Sequence, residues 1–329
     1  MQKATKELVK AAIIGFGIPA LLLALAVMLL IPNEESDDEK EQIFQTQPSE
    51  ITQSLPAMNI TVLIDGRAVQ MDLEVYVARV VLAEMPASFE LEALKAQAVA
   101  SRTFALRTCE DRQKHNGAVC DSYRCCQAYM TEAAYLERGW DPNNVTRVQE
   151  AVRATAGQVL TYEGEWIRAT YFACSGGCTE AAVDVWGKDY PYLQSVKSPG
   201  EEETVYYTDT VVFTPDSFQE ALGMSLPGPP EIWFGTITYT GSGGVETMEI
   251  GGIIYRGTTL RSLLNLRSTI FEVIVSESKI VFLTHGYGHR VGMSQYGAEA
   301  MALDGHDYKS ILAYYYLDTI LVGNYQKSL

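Results

Sequence analysis

The chain has 329 residues, of which 47% are hydrophobic, and it carries a formal net charge of −16. This length and hydrophobic content are enough for one large folded domain or for two lobes. No basic stripe is found in the sequence, which argues against nucleic acid as a partner, because such binding depends on clustered lysine and arginine.

The first predicted element in chain order is a membrane anchor. Residues 11–31 form an uninterrupted apolar run, and about 20 apolar residues are enough to cross a bilayer as a helix. Lysines precede the run and acidic residues follow it, so the positive-inside rule places residues 1–10 in the cytoplasm and the rest outside. A cleaved signal peptide is the alternative, but the run is long for one and no small-x-small site follows it.

The rest of the chain divides by composition into a linker and a folded part. Residues 32–57 are acidic and poor in large apolar residues, which predicts a disordered linker. Residues 58–199 are predicted to form the main core, and residues 200–282 are predicted to form an inserted, mostly β lobe. Residues 283–329 are predicted to complete the main core. The predicted fold class is α+β, with a helical core containing mixed β structure and a second, mostly β lobe, preceded by one transmembrane helix.

The main core is predicted to begin with a hairpin and two helices. Residues 59–73 have the pattern of two short strands around a tight turn. Residues 74–84 carry valines at helical spacing, and Pro86 is expected to end that helix, because the residue before proline avoids the α region. Ser88 is the predicted N-cap of the next helix, which extends to about Cys109.

The carboxyl group of Glu84 falls in the last turn of the first of these helices. The helix dipole and any burial both raise the pKa of a carboxyl group there, so Glu84 is expected to stay protonated near neutral pH. Such a group can give a proton to a leaving oxygen and take one back. The alternative is an exposed surface glutamate without a function.

Two polar residues interrupt the small, apolar surface of the second helix. Gln97 and Arg102 lie among alanines, where charged side chains are rarely buried without a partner. Arg102 is expected to pair with Glu84 or with an anionic ligand, or else to extend along the helix edge to water.

A compact group of His115, Cys120, Cys125 and Cys126 predicts a metal site. Three cysteines and one histidine form a closed tetrahedral set for Zn²⁺, with no position left for water, so the zinc would be structural. Disulfides are the alternative outside the membrane, although adjacent cysteines pair with each other only under strain.

Three separated blocks of the sequence resemble the signature of the SpoIID family, which comprises stage II sporulation protein D and its LytB-like relatives. In the family's order they read VVLAEMPASFELEALKAQAVASRTFAL, YFACSGGCTEAAVDVWG and THGYGHRVGMSQYGAEAMA. In the second block Cys174 and Cys178 flank Ser175 where the family usually has serine-rich sequence. A local disulfide and two free thiols both remain open there.

The resemblance implies a lytic transglycosylase of peptidoglycan that works during engulfment in sporulation. It implies an anchor in the mother-cell membrane, a domain facing the septal space, and the amidase SpoIIP and the membrane protein SpoIIM as partners. The amidase would strip stem peptides, and the transglycosylase would then cleave the denuded glycan strands. Glu84 matches the position of the catalytic glutamate. Substrate-binding roles are expected for Gln97, Arg102, Tyr171, Ser175, His289, Gln295 and Tyr296.

The chemistry of this reaction is compatible with a single carboxyl group. Glu84 would protonate the oxygen between N-acetylmuramic acid and N-acetylglucosamine, and would then deprotonate the muramoyl 6-hydroxyl, which closes on C1 as a 1,6-anhydro product. A plain muramidase would need a second carboxylate to hold water, for which Glu180 and Asp184 are candidates. The remaining alternative is a non-catalytic glycan-binding scaffold that recruits or activates a cell-wall amidase. Arg102 is expected to clamp the muramoyl lactyl carboxylate.

Overall fold

The structure is a computed structural model that describes residues 57–327. The anchor predicted at residues 11–31, and nearly all of the predicted linker, lie outside the described residues. Among the helices of residues 57–327, none combines the length and the apolar character that crossing a membrane requires.

Helices and short strands alternate along the described chain. The helices are α1 (Leu73–Glu84), α2 (Leu91–Asp111), α3 (Glu132–Glu137), α4 (Pro142–Ala154), α5 (Ala182–Trp186), α6 (Pro215–Leu222), α7 (Gly257–Leu263), α8 (Gln295–Leu303) and α9 (Tyr308–Tyr315), with a 3₁₀ turn at Pro230–Ile232. The strands are β1 (Asn59–Ile64), β2 (Arg67–Asp72), β3 (Val119–Cys120), β4 (Val159–Tyr162), β5 (Glu165–Trp166), β6 (Tyr171–Phe172), β7 (Thr208–Phe213), β8 (Phe234–Tyr239), β9 (Val245–Ile250), β10 (Ile253–Arg256), β11 (Ile270–Ser276), β12 (Lys279–His285), β13 (Met293–Ser294) and β14 (Ile320–Val322). The mixed α+β class predicted from the sequence is confirmed.

The first helix has the boundaries that its sequence dictates. Asp72 occupies the N-cap, where its carboxylate accepts hydrogen bonds from the backbone N–H groups of Glu74 and Val75. Met85 is extended, with φ −124° and ψ 140°, as a residue before proline must be, so α1 ends at Glu84.

The start of α2 differs from the prediction. Glu90, rather than Ser88, occupies the N-cap position, and its side chain makes no capping hydrogen bond. The N–H of Phe89 bonds to the carbonyl of Pro86, which closes a turn and allows the Phe89 ring to be buried before the helix starts. Burial of this ring outweighs the capping preference of the serine.

Helix α2 lies at the centre of the larger hydrophobic core. It contacts α1, α4, α8 and α9, and it can approach all four because its buried positions are mostly small. Ala93, Ala96, Ala98 and Ala100 are fully buried in these contacts. The alanine-rich sequence therefore makes α2 the element around which the core packs.

The strands of residues 57–327 form five small sheets. Their strand orders are β2-β1-β3, β14-β4-β5, β13-β6, β11-β12-β7 and β10-β9-β8. The last two sheets, with α6 and α7, enclose a second hydrophobic core that contains Phe218, Trp233, Phe271 and Phe282.

A buried ion pair joins the two cores. Arg290 and Glu180 are both fully buried, with 2.9 Å between Nη1 and Oε1. Arg290 also donates through Nη2 to the carbonyl of Ser242, which lies in the turn between β8 and β9. The pair thus connects the segment between β12 and β13 and the segment after β6 with the smaller core.

Candidate active site

A cavity of about 1430 Å³ lies at the C-terminal end of α1. It is larger than the roughly 300–1,000 Å³ of pockets for small ligands, and α7 and the residues after it form part of its wall. Flat rings suited to stacking against sugars are frequent among its lining residues: Phe104, Tyr123, Tyr171, Phe172, Trp186, Tyr190, Tyr206, Tyr287 and Tyr296. The cavity therefore offers several flat aromatic surfaces and room for a ligand larger than a typical small molecule.

Glu84 is the only carboxylic acid among the residues of 57–327 that line this cavity. Its Oε1 accepts a hydrogen bond of 2.5 Å from the N–H of Ala128, and the Tyr171 hydroxyl also bonds to it. Burial raises the pKa of Glu84 above its ordinary value of 4.5, and these two hydrogen bonds oppose that increase. Glu84 thus lies in a cleft and holds its proton more strongly than a free glutamate.

A chain of hydrogen bonds fixes the direction in which the Tyr171 hydroxyl points. The hydroxyl of the buried Tyr76 donates to Oε1 of Gln127 at 3.1 Å, so the amide group of Gln127 must present Nε2 on its other side. Nε2 donates to the Tyr171 hydroxyl at 2.7 Å. The Tyr171 oxygen is therefore an acceptor for Gln127, and its own proton is left for Glu84.

The glycine-rich segment near the end of the chain packs tightly against β6. Gly288 has φ +124°, and a Cβ there would lie 2.6 Å from Cβ of Phe172. Gly292 has φ +84°, and a Cβ there would lie 2.1 Å from the carbonyl oxygen of Thr170. Only glycine permits this approach, which places His289 beside Phe172 and pairs β13 with β6.

His289 lines the cavity as a neutral ring. Its Nδ1 accepts a hydrogen bond from the N–H of Val291 at 3.1 Å, and the ring packs against Phe172 and Trp186. Burial, together with the positive charge of Arg261, lowers the pKa of His289 to about 4. The ring is uncharged at neutral pH and acts as a shaped part of the wall.

The sequence of this chain is similar to one family of known proteins. Residues 66–162 match the family model described as "SpoIID: Stage II sporulation protein". Over 318 residues the chain is 36% identical to stage II sporulation protein D of Bacillus subtilis (strain 168), which covers 91% of this chain and 92% of the relative. The chain belongs to the SpoIID family.

Two further relatives extend this comparison. This SpoIID-family sporulation protein is 34% identical to stage II sporulation protein D of Bacillus amyloliquefaciens, over 91% of this chain and 92% of the relative. It is also 30% identical to a protein named amidase enhancer of Bacillus subtilis (strain 168), over 73% of this chain and 39% of the relative.

Two of the residues expected in the SpoIID-family groove line the cavity from α8. Gln295 and Tyr296 both lie in its wall. Gln97 does not: it is fully buried, and its Oε1 accepts a hydrogen bond from Nε2 of Gln295 at 3.3 Å. Gln97 thus supports Gln295 from beneath the cavity wall, whereas Phe104, further along α2, reaches the wall itself.

Arg102 is placed away from Glu84, which corrects the expectation of a pair between them. Its guanidinium is fully buried and forms a two-pronged pair with Glu74, with Nε–Oε1 at 2.8 Å and Nη2–Oε2 at 2.5 Å. Nη1 also donates to the carbonyl of Gln158 at 3.1 Å. Arg102 is absent from the cavity lining. Glu74, at the start of α1, is the carboxylate that pairs with its charge.

Ser175 is likewise placed beneath the surface instead of in the groove. It is fully buried, and its Oγ donates to Oε2 of Glu201 at 2.7 Å. Cys174 donates through Sγ to the same oxygen. All six cysteines, all of which are described, are free, so Cys174 and Cys178 are thiols rather than a local disulfide in this structure.

The two candidates for a second carboxylate do not reach the cavity. Glu180 is fully buried in its ion pair with Arg290, and Asp184 is exposed on α5. Neither lines the cavity. The described residues therefore place one carboxylic acid, Glu84, where a ligand would lie.

The His/Cys cluster has the geometry of a metal site. The ligand atoms of His115, Cys120, Cys125 and Cys126 all lie within 4.8 Å of one another. Sulfur ligands 2.3 Å from a tetrahedral zinc are about 3.8 Å apart, so the four donors fit one ion. Cys125 and Cys126 also line the cavity.

The residues that follow the cluster directly are the ones that contact the Glu84 site, and sequence reasoning missed them. Gln127 holds the Tyr171 hydroxyl, and Ala128 donates its N–H to Glu84. Their only sequence signal is their position directly after Cys126. The loop that would wrap a metal ion is thus also the loop that positions the carboxyl group.

Proposed function

We propose that this chain is a lytic transglycosylase of peptidoglycan. It would cleave the bond between N-acetylmuramic acid and N-acetylglucosamine in denuded glycan strands, leaving 1,6-anhydro ends, during engulfment in sporulation. The observation that carries the proposal is Glu84, half-buried in a large cavity lined by aromatic rings, with a raised pKa and with no second carboxylic acid among the described residues that line the cavity.

The reaction needs only one carboxyl group that changes its protonation state. Protonated Glu84 gives its proton to the glycosidic oxygen as the bond from that oxygen to C1 breaks. The resulting carboxylate then takes the proton of the muramoyl 6-hydroxyl while that oxygen bonds to C1. No water is consumed, so the second carboxylate used by most glycoside hydrolases is not required.

Tyr171 and Ala128 assist the step in which Glu84 is ionised. Both donate hydrogen bonds to the carboxylate, and such bonds favour the charged form. Burial favours the neutral form. The opposition of these effects suits a group that must be an acid first and a base afterwards.

A second candidate is a glycan-binding scaffold that recruits or activates a cell-wall amidase. The observation in its favour is the relative named amidase enhancer, which is 30% identical over 73% of this chain. The lining of the cavity suits glycan binding in either case. The two candidates differ in whether the protein alone breaks a glycosidic bond.

We further propose that the His/Cys cluster binds one structural Zn²⁺. The four donors fit a closed tetrahedral set, which leaves no coordination position for substrate or water. When bound, the ion would supply no chemistry to the reaction. His115, Cys120, Cys125 and Cys126 would hold the loop that carries Gln127 and Ala128.

Family membership and the apolar run at residues 11–31 support a proposal for the location and the partners. We propose a single-pass protein of the mother-cell membrane with a cytoplasmic N-terminus and its folded part in the septal space. SpoIIP and SpoIIM are the proposed partners, since an amidase is needed to supply denuded strands.

The mass of the product tests the proposed reaction. The full chain is incubated with purified denuded glycan strands, and the new ends are identified by mass spectrometry. Anhydro-muramoyl ends are expected. Reducing muramic ends would show a muramidase instead, and intact strands would leave only the scaffold.

A further inference from the structure

The charge of the cavity wall is opposite to that of the whole chain. The chain carries −16, yet Glu84 is the only acid in the lining, and five cationic side chains share that lining: Lys114, Arg124, Arg168, Lys188 and Arg261. Among the described residues only Arg168 of these five has an ion-pair partner, Asp111. The wall therefore presents unpaired positive charge to whatever the cavity binds.

Arg261 is a cation of this wall whose side chain is oriented by a backbone carbonyl. It lies in the last turn of α7, and its Nε donates to the carbonyl of Arg267 at 3.2 Å, which fixes the plane of the guanidinium. Within residues 57–327 no acceptor is found for its two terminal nitrogens, and no carboxylate pairs with it. Burial lowers its pKa, but a guanidinium stays charged in proteins. A half-buried charge without a partner costs free energy, and an anionic ligand in the cavity would offset that cost.

We propose that Arg261 is the specificity residue that binds the free lactyl carboxylate of a muramoyl residue in the cavity. This inference rests on the proposed glycan substrate. Two parallel N–H groups of a guanidinium match the two oxygens of a carboxylate, and the terminal nitrogens of Arg261 are available for this contact.

The contact distinguishes denuded strands from strands that still carry peptides. In a denuded strand the lactyl group ends in a carboxylate, whereas in a peptide-bearing strand the same carbon is a neutral amide. An amide offers one acceptor oxygen and no charge, so it satisfies Arg261 poorly. Arg261 thereby selects strands from which a prior amidase reaction has removed the peptide.

The test compares two forms of the same strands. Denuded strands are used as such or after conversion of their lactyl carboxyls to methylamides with carbodiimide and methylamine. Binding is measured by calorimetry with the full chain carrying Glu84→Gln, so that no cleavage is expected, and cleavage is measured with the parent chain. The carboxylate form is expected to bind about 10- to 100-fold more tightly than the methylamide form.

Substitution of Arg261 is expected to remove this preference. Arg261→Gln should bind both forms as weakly as the unsubstituted protein binds the methylamide form, and Arg261→Lys should keep part of the preference because it keeps the charge. Arg153→Gln is the matched control, since Arg153 is an exposed arginine on α4 outside the cavity lining. It should keep the full preference.

The outcomes separate this inference from the proposed reaction. Unchanged affinity of Arg261→Gln for the methylamide form shows that the variant is folded, and loss of preference in that protein supports the inference. A preference that survives in Arg261→Gln, or is absent without the substitution, overturns it. An Arg261-dependent preference without anhydro ends from the parent would refute only the proposed reaction, and anhydro ends without any preference would refute only the role of Arg261.

Discussion

The reactivity of the site depends on how one carboxyl group is held. Glu84 is the last residue of α1, where Pro86 prevents the helix from continuing. Burial raises its pKa, and the hydrogen bonds from Ala128 and Tyr171 lower it. The position of the group was predictable from the proline, and the direction of its pKa shift agrees with the prediction made from the helix end and from burial.

Substitution Tyr171→Phe is expected to move the pH dependence of the reaction. The Tyr171 hydrogen bond lowers the pKa of Glu84, so its loss raises that pKa. The first step needs protonated Glu84, and kcat therefore falls as pH rises through its pKa. In the variant this fall should occur at higher pH, with a maximal kcat lower by roughly tenfold.

The measurement is the rate of anhydro-end formation between pH 4 and 9 with saturating denuded strands. Tyr239→Phe is the control, because Tyr239 is exposed on β8 and outside the cavity lining. A fall in the Tyr171→Phe variant at the same pH as in the parent would refute the assigned hydrogen bond.

The parts of the site that sequence did not predict depend on contacts between distant segments. Gln127 forms hydrogen bonds with Tyr76 and Tyr171 only when the loop that follows Cys126 packs against α1 and β6. Arg102 was expected to pair with Glu84, but the packing of α1 on α2 brings Glu74 to it instead. The contacts of Gln127 with Tyr76 and Tyr171, and of Arg102 with Glu74, join residues whose spacing in the sequence does not indicate contact.

Among the secondary-structure elements, α1 and α2 are linked by the buried ion pair of Glu74 and Arg102. Arg102→Met is expected to lower the free energy of unfolding by about 3 kcal/mol, because it leaves Glu74 without its buried partner. The KM for denuded strands should stay unchanged, since Arg102 does not line the cavity. Urea unfolding and steady-state kinetics measure the two effects.

A double substitution and a surface control sharpen this test. Glu74→Gln combined with Arg102→Met should cost less stability than the sum of the single changes, because the two residues interact directly. Arg153→Met, at an exposed position of α4, should cost little. A folded Arg102→Met protein of unchanged stability but raised KM would instead assign Arg102 to the substrate.

Removal of the proposed zinc should reduce activity, because the loop after Cys126 would no longer be held next to Glu84. Elemental analysis is expected to find one Zn²⁺ per chain, and chelation should lower kcat, because the loop with Gln127 and Ala128 loses its fixed position. Cys120→Ser should reduce zinc content and kcat together. Two disulfides, or four metal-free thiols in the active protein, would contradict the proposal.

Element boundaries were predictable where a local rule decides them. Pro86 ends α1 as expected, and the hairpin of β1 and β2 turns at Asp65–Gly66 between the two predicted strands. The start of α2 was not predictable, because the burial of Phe89 decides it and Ser88 does not cap the helix.

At the scale of the whole molecule, the cavity carries a charge opposite to that of the chain around it. Added salt screens attraction between the cationic wall and an anionic strand over distances beyond about 8–10 Å. The KM for denuded strands should therefore rise severalfold between 50 and 300 mM salt, while kcat changes little. Methylamide strands, which lack the carboxylates, should show no such rise. Equal salt dependence for both forms would contradict a cationic glycan site.

The sequence predicted the α+β class, because helical and strand patterns alternate along the chain, but it did not show which residues meet in the cavity. Arg261 belongs to the segment with the smaller hydrophobic core, yet α7 brings it to the same cavity as Glu84. The joining ion pair of Glu180 and Arg290 was not predictable either, since its residues lie in separate blocks.

The most direct test of the central claim is the Glu84→Gln substitution in the full chain, with purified denuded strands as substrate and anhydro-muramoyl ends counted by mass spectrometry. Asp184→Asn, an exposed acid outside the cavity lining, is the control. Glu84→Gln is expected to form these ends roughly 10²- to 10⁴-fold more slowly than the parent while still binding strands, and the control is expected to keep the parental rate. Equal rates for parent and Glu84→Gln would show that Glu84 is not the acid and base of the reaction.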